Sequence, residues 1–216
     1  LKLYENCEKK KYLICTNESF AYATVVQVKD LKTFFTLHID KTKIEVSTSL
    51  FGKSNVDNII VASALAYLLG VNLLDIKKGI ESLKPIPHRL ELIKGYAYVL
   101  DDSYNSNFSG FKQALEVLSN FKGKKILVTP GMVELGREQF ELNYQIAKNM
   151  AKVCDEIVVM NKVNREAILK GLSEENFNEK KIHLATSRKE QTEILKKIIT
   201  KDSVVLFEND LPDNYK

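Results

Sequence analysis

The sequence predicts an α/β protein in two parts: antiparallel strands and helices first, then a mostly parallel sheet. Three features carry that expectation. Residues 20–49 hold short β-rich runs separated by tight charged turns, as in an antiparallel meander. From Arg89 onward, short apolar runs alternate with helical patterns, which implies parallel strands covered by helices on both faces. Between these parts, Lys84-Pro85-Ile86-Pro87 places two prolines in four residues. Proline lacks a backbone donor and disfavours helix in the residue before it. A domain boundary therefore falls here, dividing residues 1–86 from 87–216.

Residues 20–28 are rich in Tyr, Thr and Val and read as a strand. Residues 33–39 and 44–49 follow as strands after breaks at residues 29–32 and 40–43. Residues 55–69 read as a helix closed by Gly70, and residues 75–83 as a second, with Ile76, Ile80 and Leu83 at helical spacing. Beyond the prolines, residues 90–93 and 96–100 are strands. Residues 108–121 form a helix with Phe108, Phe111, Leu115, Leu118 and Phe121 on one face. Strands then fall at 125–129, 156–160, 182–185 and 203–207, and helices at 139–153, 164–171 and 189–199. There is no internal repeat and no low-complexity tract.

Composition narrows the function classes. The 216 residues carry a formal charge of +4, with lysines spread along the helices. Nucleic-acid binding needs a concentrated basic face, so no nucleic-acid partner is expected. No apolar run approaches the roughly 18 residues of a membrane span, and the first residues lack the apolar core of a secretory signal. No membrane partner is expected either. Cys7, Cys15 and Cys154 are odd in number and irregularly spaced. That favours reduced thiols in the cytoplasm over a disulfide framework. His38, His88 and His183 lie far apart, with nothing at zinc-site spacing.

Several segments are candidates for chemistry. Gly52-Lys53-Ser54 resembles the end of a phosphate-binding loop, but position 47, where the loop needs its first glycine, is Ser47. It is a decoy. Gly131 and Gly136 have the wrong spacing for a dinucleotide fingerprint, which disfavours a dehydrogenase. Asn55 and Asn58 share one face of a helix start, either as caps or as amides holding an adenine edge. Arg89, after the prolines, suits phosphate or ribose recognition as well as a surface ion pair. Asp101-Asp102-Ser103-Tyr104-Asn105-Ser106-Asn107 lies where a strand gives way to a helix. That is the ligand edge of an open α/β sheet. Adjacent acids there repel unless something offsets them, and capping alone does not explain Asp102, Tyr104 and Asn105 together. Residues 130–136, Pro-Gly-Met-Val-Glu-Leu-Gly, occupy the next strand-to-helix loop on the same edge, as a plain turn or a close approach to ligand. Residues 207–213, Phe-Glu-Asn-Asp-Leu-Pro-Asp, read rather as an acidic tail than as a site for a cation or amine.

Together these segments resemble the Mur ligases, which add amino acids to the peptidoglycan precursor. The family's Gly-x-His-Asn-x-x-Asn helix start corresponds to residues 52–58. Its hinge His-Arg or Gly-Arg corresponds to His88-Arg89, and its ATP-contacting Asp at a strand end to Asp102. The Asp-Asp-x-Tyr-Asn-x-Asn run at 101–107 and Met-x-Glu-Leu-Gly at 132–136 look most like the subgroup that adds D-alanyl-D-alanine. Order and spacing of these motifs match from about residue 21 onward.

The resemblance implies a Rossmann-like carboxyl-terminal domain preceded by the tail end of an ATP-binding central domain. It implies ATP contacts at Asn55, Asn58, Arg89, Asp102, Tyr104 and Asn105. Asn107, Met132, Glu134 and Asn143 are candidates for substrate binding. ATP with Mg2+ would be the cofactors of the full-length enzyme, and a UDP-N-acetylmuramoyl-peptide and an amino-acid or dipeptide amine the substrates. The phosphate loop and magnesium ligands are expected upstream, so these 216 residues alone are expected to be inactive. Ser54, Pro130-Gly131-Met132, Asn143 and Glu208-Asn209-Asp210 depart from the family pattern. Most of them lie near the edge expected to recognise the amine. A folylpolyglutamate-type ligase and a non-catalytic nucleotide-binding accessory protein are the alternatives.

Overall fold

The computed structural model describes residues 12–16 and 19–210. The chain divides into two compact units, Leu1–Lys84 and Pro85–Lys216.

The first unit opens with strands β1 (Ala21–Lys29), β2 (Lys32–Ile39) and β3 (Thr42–Thr48). They pair antiparallel in sequence order. Alternation in β2 buries Thr33, Phe35, Leu37 and Ile39 while their neighbours stay partly exposed, the period-2 pattern of a half-buried sheet. Helix α1 (Lys53–Leu68) and helix α2 (Leu73–Ser82) complete the unit. Val56, Ile59, Ile60 and Ala64 of α1, with Ile76 and Ile80 of α2, share a core with the sheet's Phe35, Leu37, Ile39 and Val46. Gly70, at φ 90°, ends α1 in the left-handed conformation that glycine adopts without Cβ strain. Asn72 caps α2 by accepting from the Asp75 N–H.

The second unit is a six-stranded sheet. Its strands are β4 (Glu91–Lys94), β5 (Tyr98–Asp102), β6 (Lys125–Thr129), β7 (Glu156–Met160), β8 (Ile182–Ala185) and β9 (Val204–Glu208). Their order is β4-β5-β9-β6-β7-β8, and only β4 runs antiparallel. Helices α3 (Phe108–Ser119), α4 (Gln139–Val153) and α5 (Arg165–Glu174) connect β5 through to β8, and α6 (Arg188–Ile198) carries the chain back to β9. Right-handed crossovers put α6 on the opposite face from the other three. There it covers Ile126, Val128, Val158 and Val205 through Leu195. Where α4 meets α5, Gly171 permits the approach: a Cβ there would lie 2.4 Å from the Tyr144 carbonyl oxygen.

Asp101 and Asp102 are the last residues of β5 itself and not of the following loop, because β5 stays in register with β9 out to Asp102↔Glu208. The acidic-tail reading of residues 207–213 is corrected for its first part. Glu208 ends β9 at 1% exposure and Asn209 is 9% exposed. Leu211, Pro212 and Asp213 lie outside the described residues.

Candidate functional site at the carboxyl edge of the parallel sheet

The carboxyl ends of β5, β6, β7 and β9 bring the second unit's motif residues to one edge. The backbone is unusual there. His88, Leu90, Glu134, Asn161 and Asn209 all have φ between 51° and 67°, a region that side chains other than glycine, asparagine and aspartate rarely enter. Such strain persists only where surrounding bonds over-determine it, and those bonds are present. The Leu90 N–H donates to Asp102 Oδ1 at 2.9 Å, and the Tyr104 N–H donates to the His88 carbonyl at 3.2 Å. His88 Nδ1 lies 2.8 Å from Asp101 Oδ2, and the Ser103 hydroxyl donates to Asp101 Oδ1 at 2.6 Å. The turn before β4 is thus fastened to the end of β5.

Arg89 projects from this turn. Its guanidinium stacks over the Tyr104 ring at 4.0 Å and donates to Asn105 Oδ1 at 2.7 Å. It makes a hydrogen bond and a cation–π contact, not the surface ion pair that was its alternative. Stacking on an aromatic face pre-orders a planar donor fork. Tyr104 remains 64% exposed, so the platform faces outward.

Asp102 is half-buried. Burial pushes its carboxyl above the usual range, against the Leu90 N–H, Glu208 and the nearby Arg89 charge, which favour the anion. Glu208 is raised well above the usual range, first by burial and then by the Asp102 charge, with the Ser106 hydroxyl acting the other way. That hydroxyl donates to Glu208 Oε1 at 2.6 Å.

The loop after β6 is fixed by three asparagines from different elements. Asn143 of α4 accepts from the Met132 N–H and donates to the Met132 and Gln139 carbonyls, each at 2.8 Å. Asn164, just before α5, donates to the Pro130 and Met132 carbonyls. Asn209, after β9, donates to the Gly131 carbonyl at 2.7 Å. Asn143 and Met132, expected to bind substrate, lie inside the fold and not on its surface. Both side chains are fully buried, and the Asn143 amide is spent on the loop. Asn107 caps α3 by accepting from the Gly110 N–H, whereas Glu134 stands exposed on the loop.

Beside this edge opens a cavity of about 1050 Å³, lined among others by Asp101, Tyr104, Asn161, Arg188, Gln191 and Asp210. Arg188 donates to Asp210 at its mouth at 2.8 Å. The contribution of α6 was missed in the sequence. Its signal was Ser187-x-x-Glu190, a capping box that marks a helix start at a strand end. Ser187 accepts from the Glu190 N–H, and Glu190 accepts from the Thr186 N–H.

In the first unit, Asn55 and Asn58 lie within α1, whose cap residue is Gly52. Neither is the cap. Asn55 donates to the Phe51 carbonyl at 2.7 Å, and Asn58 is exposed. The Gly52-Lys53-Ser54 run starts this helix, with Lys53 paired to Asp57.

The second unit matches the family model described as Mur ligase, glutamate ligase domain, over residues 88–208. The chain belongs to the Mur ligase family. A UDP-N-acetylmuramoyl-tripeptide–D-alanyl-D-alanine ligase of Buchnera aphidicola is 34% identical over 69% of this chain and 32% of its own length. The crystal structure of MurF from Acinetobacter baumannii superposes with a TM-score of 0.77 at 26% identity, over 90% of this chain and 42% of that one. MurF ligase from Thermotoga maritima, in complex with ADP, shares the fold with a TM-score of 0.74 at 22% identity, over 90% of this chain and 44% of that one. The chain thus spans about a third of the length of that curated Mur ligase.

Proposed function

We propose that this chain forms the carboxyl-terminal part of an ATP-dependent amide-bond ligase of peptidoglycan precursor synthesis, working in the cytoplasm. The observation that carries the reading is the Arg89–Tyr104–Asn105 platform beside Asp102, in a unit that matches the family model. A planar cationic fork next to a carboxylate suits a nucleotide, with Arg89 toward phosphate and Asp102 toward a ribose hydroxyl. The incoming amine, D-alanyl-D-alanine or another amino compound, would enter the cavity beside the platform. Its opposite charges at Arg188 and Asp210 suit a zwitterion. Exposed Glu134 stands on the neighbouring loop.

In the proposed reaction, a carboxylate of the UDP-N-acetylmuramoyl-peptide attacks the γ-phosphorus of ATP and ADP departs. The amine nitrogen then attacks the resulting acyl phosphate, releasing phosphate and a proton. In such phosphoryl transfer, catalysis is mainly positioning and charge stabilisation. Arg89 and Asp102 supply positioning here. Mg2+ would accompany ATP in this reaction, bridging its phosphates.

The test is a phosphate-release assay on the ligase polypeptide that carries this chain, with ATP, UDP-N-acetylmuramoyl-tripeptide and a panel of amines. Arg89→Ala is expected to raise the KM for ATP by roughly 10- to 100-fold, the worth of a charge-assisted hydrogen bond. An unchanged KM would sink the assignment of Arg89. The 216-residue chain by itself is expected to show no turnover, because it contains no G-x-x-x-x-G-K-[ST] loop.

A further inference from the structure

The end of β9 holds a group that the ligase reading leaves without a task. Glu208 is 1% exposed and stands in register beside Asp102 on the parallel strand β5. Partners in register on neighbouring strands point to the same face, so two carboxyl groups lie side by side. Ser106 donates to Glu208 Oε1, while Glu208 Oε2 is buried and receives no hydrogen bond, beside Asp102 of the neighbouring strand. Asp102 in turn accepts from the Leu90 N–H, and its carbonyl accepts from the Asn209 N–H. Two anions side by side, one fully and one half buried, repel strongly. A carboxylic acid donating to a carboxylate satisfies both groups.

We propose that Glu208 is a positioning residue which, as a neutral acid, donates a hydrogen bond to Asp102 and with Ser106 holds the Asp102 carboxylate and the Arg89 turn for the nucleotide. This rests on the nucleotide reading above. A chain of contacts carries the effect: Ser106 to Glu208, Glu208 to Asp102, Asp102 to the Leu90 N–H, and so to Arg89, one residue before Leu90. The charged groups that bear on the pair are Arg89, which favours the Asp102 anion, and Asp101, which opposes it. Glu208 is the more deeply buried of the two, and Asp102 already accepts from the Leu90 N–H, which favours its anion, so the shared proton belongs on Glu208. When pH rises far enough to remove that proton, the two anions repel and the turn loosens.

The Leu90 amide is a built-in reporter of the Asp102 carboxylate. In a 1H–15N titration of the 216-residue chain, this amide should follow a carboxyl transition displaced well above the ordinary value of about 4. Glu208→Gln keeps a neutral donor toward Asp102 and an acceptor for Ser106. It should preserve the Leu90 resonance and abolish the high-pH transition. Glu208→Ala and the milder Ser106→Ala should both shift the resonance at neutral pH. If Leu90 titrates only in the ordinary carboxylate range and ignores all three substitutions, the inference is overturned.

A second measurement addresses the nucleotide. In the ligase polypeptide, Glu208→Ala should raise the KM for ATP at least about tenfold with a smaller change in kcat. Glu208→Gln should restore that KM and flatten its pH profile. An intact Leu90 response with an unchanged KM in Glu208→Ala would overturn the positioning role. Absence of ATP-dependent turnover in the unsubstituted polypeptide would instead count against the ligase reading, and the Leu90 titration would still decide the hydrogen bond.

Discussion

Glu156 shows how a single buried charge is kept at the opposite edge of the sheet. It begins β7 with 4% side-chain exposure and receives Lys181 at 2.8 Å, His183 at 2.7 Å and Lys124 at 2.9 Å. Burial alone would raise its carboxyl, but the hydrogen bonds from Lys181, His183 and Lys124 more than offset this and hold it at about 2. A depressed value in the folded state means that the stabilisation is fully present above the unfolded value, near 4.3. It is lost as pH falls toward 2. Acid unfolding should therefore show a component of roughly 2–3 kcal/mol in that window, which Glu156→Gln removes while lowering stability at pH 7. Urea melts at pH 7 and pH 3 test this. An identical pH dependence in the variant would rule out Glu156 as the source. Gly131 makes a second residue-scale case. Its φ is 78°, and a Cβ there would stand 2.4 Å from Asn143 Oδ1 and 3.0 Å from Asn164. Gly131→Ala should cost about 2 kcal/mol or more and broaden the resonances of residues 130–136. A thermal melt together with an amide spectrum would check both effects.

The same geometry acts between elements at Gly171. A Cβ there would meet the Tyr144 carbonyl at 2.4 Å and the Ala147 Cβ at 2.7 Å, so α4 and α5 must part to admit it. Gly171→Ala is expected to destabilise by about 1–3 kcal/mol, as overpacking does, and a Tm equal to the parent's would refute the close approach. The elements themselves were largely legible. α4, β7 and β8 fall at residues 139–153, 156–160 and 182–185, as their periodicity indicates. The strand ends were less legible, for a physical reason. Asp101, Asp102 and Glu208 read as polar loop or tail because burial of a carboxyl is costly, yet the ladder to β9 and bonds from Leu90 and Ser106 keep them in or at the sheet. Motif positions name Arg89, Tyr104 and Asn105 as candidates, but the stacking and the hydrogen bond that join them are seen only in the fold. The roles of Asn143, Asn164 and Asn209 as loop anchors could not be drawn from motif positions, since they come from three separated elements and meet only on folding.

At the scale of the whole chain, the two units differ in how completely each covers its own apolar surface. The second buries its sheet under helices on both faces, with Leu100, Leu127, Ile157 and Leu206 at 0% exposure. The first has its own small core but exposes Val61, Leu65 and Leu68 on α1, Leu69 and Val71 after it, and Leu74 on α2, at 40–76%. Its three-stranded sheet also has β1 and β3 as edges, and Val25 and Val26 lie 70% and 52% exposed near an irregularity in the β1–β2 register. Few buried contacts and open edges lower the free energy of local opening. Native-state hydrogen exchange should therefore show the amides of β1–β3 and α1 opening more readily than those of β5, β6, β7 and β9. Residues 85–216 expressed alone should give the same protection pattern as in the full chain, because their core is drawn from their own strands and helices. Equal protection of both sheets in the full chain, or loss of cooperative unfolding in the isolated second unit, would refute this difference in local stability.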